Sequence, residues 1–97
     1  MRSRQVIKHF VEMCYKRKQG NATSGNYKAF RDGADNLPCL TLFRNKIAWQ
    51  ETAESDIETS NRGWNTQTTR RTLNCLDFYR TQVRASIRQR DVFDESF

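Results

Sequence analysis

The sequence predicts an α+β domain: an N-terminal amphipathic helix and a second short helix packed on a small antiparallel sheet. Three observations carry this expectation. Val6, Ile7, Phe10, Val11, Met13 and Cys14 recur at the three- and four-residue spacing of a helix stripe. Between Cys39 and Trp49, two runs of strand-forming residues flank Arg44-Asn45-Lys46, where an asparagine suits the left-handed backbone of a tight hairpin. Further on, Thr66 precedes Arg70, Arg71, Leu73, Asn74 and Leu76, a hydroxyl N-cap followed by leucines three apart.

Ser3 is a candidate N-cap for the first helix, expected at residues 4–18. Gly20-Asn21 stops its pattern, and Lys16, Arg17 and Lys18 suit the negative end of the helix dipole. Residues 20–26, rich in Gly, Asn, Ser and Thr, read as a linker, and Tyr27-Lys28-Ala29-Phe30 as a short strand. Asp32-Gly33 and Asp35-Asn36 are turn dipeptides. Strands are expected at residues 38–43 and 46–50, an acidic loop at 51–56 and a further short strand at 57–60. The second helix is expected to end near Asp77 or Phe78. Beyond it the pattern divides: Leu76, Tyr79, Val83 and Ile87 continue a helix, whereas Val83, Ala85 and Ile87 alternate with Arg84, Ser86 and Arg88 as in a half-buried strand. The strand is the preferred reading. Residues 1–2 and 91–97 are expected to fray at the ends of one domain spanning 1–97.

A chain of 97 residues has room for one small core. Its hydrophobic fraction is only 36%, against 29% charged, but eleven aromatic side chains supply enough large apolar area to argue against disorder. The net charge of +6 suits a polyanionic partner, nucleic acid being the commonest, or an acidic protein surface. Cys14, Cys39 and Cys75 have no C-x-x-C spacing, and with the single His9 they form neither a disulfide framework nor a zinc site. Cys14 and Cys75 fall on apolar faces and read as core residues. The first ten residues hold no apolar leader segment, and no apolar run reaches the ~18 residues of a membrane span. The expectation is therefore a protein of a reducing compartment, the cytoplasm, with no membrane partner.

Catalysis finds little support. His9 has Glu12 as its expected helical neighbour. Glu51, Glu54, Asp56 and Glu58 lack the glycine-punctuated spacing of a calcium loop and read as solvated, and the four glycines are too scattered for a phosphate loop. No enzymatic activity, metal or cofactor is expected.

Binding is better supported. Twelve arginines stand against five lysines, and a guanidinium fork grips phosphate bidentately where an ammonium does not. Residues 62–90 hold seven arginines against Asp77 alone, so one side of the domain is expected to be strongly positive. Thr66, Thr68 and Thr69 surround a predicted helix N-terminus, whose free amides attract a phosphate, and Arg70 and Arg71 follow in the next turn. On a strand, Arg84, Arg88 and Arg90 would share one face along which a nucleic-acid backbone could run. These eight residues are the candidate nucleic-acid contacts. An ordinary alternative gives the threonines capping roles and the arginines solvation only. A DNA or RNA strand, an acidic host or phage protein, and a homo-oligomer all stay open as partners.

From Ser24 to Leu76 the chain resembles a family of small, uncharacterised proteins of tailed bacteriophages. The resemblance lies in Ser24-Gly25-Asn26, then Leu40-Thr41-Leu42 with Asn45-Lys46-Ile47-Ala48, then Gly63-Trp64-Asn65-Thr66 with Thr68-Thr69-Arg70 and Leu73-Asn74, in that order. It implies a phage-encoded α+β protein that works in the bacterial host's cytoplasm or travels in the virion. It implies no particular activity. Relatives often carry proline where Gln67 stands, which agrees with Thr66 as an N-cap. After Leu76 they continue into a glycine-containing strand pair ending in tryptophan, and this chain has neither residue there.

Overall fold

The computed structural model describes residues 2–60 and 67–95, with side chains through residue 87. In chain order it forms α1 (Ser3–Tyr15), β1 (Ala22–Ser24), β2 (Tyr27–Asp32), β3 (Leu37–Leu42), β4 (Asn45–Gln50), β5 (Ile57–Thr59) and α2 (Gln67–Glu95). The five strands make one antiparallel meander in the order β1-β2-β3-β4-β5, with the helices packed on it, so the α+β class read from the sequence holds.

Each end of α1 differs from expectation. Arg2, not Ser3, is the N-cap, and its amide donates to Gln5 Oε1 at 2.8 Å. The helix stops at Tyr15 because Arg17 enters the left-handed region at φ 53°, so Lys16, Arg17 and Lys18 lie past the last turn. The amides of Lys16 and Lys18 donate to the Glu12 carbonyl at 2.8 and 3.2 Å, satisfying it twice. His9 does not pair with Glu12. Its Nε2 donates to the Gly20 carbonyl at 2.7 Å, while the Glu12 carboxylate sits 3.5 Å from Lys18 Nζ.

The expected linker contains β1. Gly25, at φ 57°, makes the turn that sets Ser24 opposite Tyr27. Asp32-Gly33 and Asp35-Asn36 do form the β2–β3 turn, with Gly33 and Asn36 at φ 79° and 54°. In the β3–β4 hairpin the two left-handed residues are Phe43 and Arg44, at φ 52° and 68°, whereas Asn45 opens β4 opposite Leu42. A bulge follows: Thr41 faces Lys46 and Leu40 faces Ala48, leaving Ile47 without a partner in the register. This is why the consecutive residues Ile47 and Ala48 are both buried, against the alternation of a regular strand.

The register places Ala29, Leu40 and Ala48 in one row under the helices. Phe30, Cys39, Trp49 and Glu58 form a row on the other face, with Lys28 Nζ 4.9 Å from the Phe30 ring centre. Helix α1 lies over β1, β2 and β3 and buries Val6, Phe10 and Val11 completely. At ~1.5–3 kcal/mol for each large apolar side chain, this stripe is the main adhesive between helix and sheet.

Helix α2 packs chiefly against α1 and is one continuous element of 29 residues. It neither ends near Phe78 nor gives way to a strand, and it extends into the acidic tail as far as Glu95. Thr69, Thr72, Leu76 and Val83 are buried along it, with Tyr79 and Ile87 partly buried, which is the helical reading of this segment. A sixth strand would have had to pair with β1 or β5, edges of three residues each. Among the described residues no helix is long and apolar enough to cross a membrane.

Candidate nucleic-acid interface

Among the described residues, arginines of α1 and α2 fall in two distinct settings. On one side, Asp56 gathers Arg80 and Arg84: Arg84 Nη1 lies 3.6 Å from Asp56 Oδ2, and Arg80 Nη1 lies 3.9 Å from Oδ1. Arg80 also donates to Asp77 at 2.7 Å. The Tyr15 hydroxyl donates to Asp56 Oδ1, and the Ile57 amide donates to the same oxygen at 2.8 Å. Tyr15's hydrogen bond, then that of Ile57, hold the Asp56 carboxyl below its usual range, and the two arginines add to this against slight burial. Burial, followed by the bond to Asp56, raises the Tyr15 phenol. A cavity of about 420 Å³ beside this network mixes Arg17 and Arg84 with Glu54 and Asp56, so its field is of mixed sign. Nearby Cys14 is buried, and that burial is the main cause that pushes its thiol up to about 12.

The second setting lies toward the N-terminal end of α2. A cleft of about 520 Å³ opens between the first turn of α1 and the second and third turns of α2. Arg4 and Arg71 border it, no carboxylate lines it, and neither arginine forms an ion pair among the described residues. Its floor is apolar or capped: Ile7 is buried, and the Tyr27 hydroxyl shares a 2.6 Å hydrogen bond with Thr72 Oγ1, which itself donates to the Thr68 carbonyl at 2.8 Å. Phe78 forms part of the wall and is 53% exposed. Arg71, Cys75 and Phe78 are four and three residues apart, hence one stripe along α2.

The candidate contacts read from the sequence are thus separated. Arg71 lines the cleft, and Arg70 and Thr68 are exposed on the same end of α2. Thr69 is 2% exposed and faces the core, so its hydroxyl is not a solvent-side phosphate ligand. Arg84 is engaged by Asp56 near the middle of α2, ~20 Å from Arg70 along the axis. The two-residue alternation that aligned Arg84, Arg88 and Arg90 does not apply to a helix. Thr66, and the side chains of Arg88 and Arg90, lie outside the described residues. Asp56 is likewise more than a solvated loop acid, since it organises four neighbours.

Sequence reasoning missed Arg4, Cys75 and Phe78. Their signal was present: once α2 is extended past Phe78, the spacing Arg71-Cys75-Phe78 marks one face. Tyr27 and Tyr79 are partly buried, and Trp64 lies outside the described residues. The large hydrophobic side chains exposed among the described residues are Phe43 and Phe78.

No family model, curated protein or solved structure matches the chain.

Proposed function

We propose that this protein binds nucleic acid through its phosphate backbone, as a non-catalytic accessory protein of a tailed phage acting in the host cytoplasm. The observation that carries the binding is the cleft between α1 and α2, bordered by Arg4 and Arg71 and free of lining carboxylates among the described residues. Arg70 and Thr68, exposed beside it, extend the positive end of α2, where the helix dipole favours an anion. The phage assignment rests on the three ordered sequence motifs. Titration of fluorescent DNA and RNA at 50 and 200 mM salt tests the binding. Affinity falls several-fold between the two conditions if phosphates are held, because each contact releases counterions. Absence of binding, or binding indifferent to salt, overturns it.

The exposed ring of Phe78 favours a second reading, in which an acidic segment of a host enzyme or phage assembly sets an apolar anchor in the cleft. Pull-downs from bacterial lysate with and without nuclease separate the two. A stoichiometric protein partner that survives nuclease supports this second reading.

A further inference from the structure

We infer that the cleft takes single-stranded rather than duplex nucleic acid, with an unpaired base stacked on Phe78; this rests on the phosphate-binding reading above. Most aromatic rings of the described chain are wholly or partly buried, whereas Phe78 leaves 53% of its surface in water on a helix whose other face is packed. The Phe78 ring meets that of Tyr79 edge-on, with centroids 5.5 Å apart and planes at 70°, which leaves its outer face open to a base. It shares its stripe with Arg71, ~10 Å away along the helix axis. A cation beside an aromatic platform in a positive groove is the arrangement that holds single strands without regard to sequence. Duplex DNA already stacks its bases on one another, so it gains from Arg4 and Arg71 but not from Phe78. The open face of the sheet, with Phe30 and Trp49, is the weaker platform: Lys28 covers Phe30, and Asp32 and Glu58 lie on that face.

Fluorescence anisotropy with one labelled 12-mer, single-stranded and annealed to its complement, in deoxy and ribo forms, tests the inference on the full chain. Wild type binds the single strand more tightly than the duplex. Phe78→Ala weakens single-strand binding roughly tenfold or more, the scale of one stacked base, leaves the salt slope unchanged and spares duplex binding. Phe78→Trp retains the affinity and shows quenched indole fluorescence on binding. The deoxy and ribo arms identify which strand is the ligand. Cys75 supplies an independent readout, being the partly accessible thiol of the cleft while Cys14 and Cys39 are buried. Bound oligonucleotide slows its alkylation by iodoacetamide. Equal affinity for both forms with no loss in Phe78→Ala overturns the inference but leaves phosphate binding standing. No binding of either form overturns both. Unchanged alkylation of Cys75 under saturating oligonucleotide places the ligand elsewhere and also overturns the inference.

Discussion

Replacing Asp56 by asparagine removes a charge while keeping the shape, and the structure lets the cost be worked out. The bond from the Tyr15 hydroxyl changes from a charge-assisted one, worth ~1.5–3 kcal/mol, to a neutral one of ~0.5–1.5 kcal/mol. Two arginine contacts at 3.6 and 3.9 Å also lose their partner, at ~0.2–1 kcal/mol each for exposed pairs. The carboxylate is itself 55% exposed, so solvent screening keeps the sum at the lower end, about 1–2 kcal/mol. For a domain of this size that lowers Tm by roughly 5–15 °C. Urea denaturation followed by circular dichroism at neutral pH measures it, and a double-mutant cycle with Tyr15→Phe isolates the shared bond, expected to couple by ~0.5–1 kcal/mol. A loss below ~0.3 kcal/mol, or strictly additive single mutants, would show that the network does not join α1, α2 and the segment before β5 as described.

The same network sets a pH profile. Asp56 is held below its ordinary value of 3.8, so its contribution is complete above that pH and lost as pH falls through the lower folded value. Tyr15 is raised above its ordinary 10.0, so its contribution is complete below pH 10 and declines above it. Urea midpoints across pH show both limbs, and Tyr15→Phe removes the alkaline one. At the β3–β4 turn, Arg44→Gly relieves a left-handed backbone and raises stability by ~0.5–1 kcal/mol in the same assay. Arg71→Ala lowers the salt slope for a single strand by ~0.7, whereas Arg84→Ala, whose guanidinium is already held by Asp56, leaves it nearly unchanged; equal effects contradict the division of the arginines.

The first helix and the Cys39–Trp49 hairpin were legible because their signals are local: a 3.6-residue stripe, and two apolar runs about a short turn. Local signals misled where tertiary packing decided. Val83 and Ile87 fit a strand and a helix equally, and the face that α1 offers them selects the helix. Thr69 has the composition of a phosphate ligand, yet the register of α2 turns it inward. The first two motifs of the resemblance serve the fold, with Leu40 and Leu42 in the core, Ile47-Ala48 at the bulge and Gly25 at a turn. The cleft itself was not legible. It joins Arg4 to Arg71 across 67 positions of chain, and no window along the sequence brings them together.

Backbone amide NMR of the labelled protein, titrated with a single-stranded oligonucleotide at low salt, bears most directly on where a polyanion sits. Shifts concentrated at Arg4, Ile7, Arg71, Cys75 and Phe78, reversed by added salt, are the predicted result. Shifts centred on Tyr15, Asp56 and Arg84 instead, or none at all, would contradict the account.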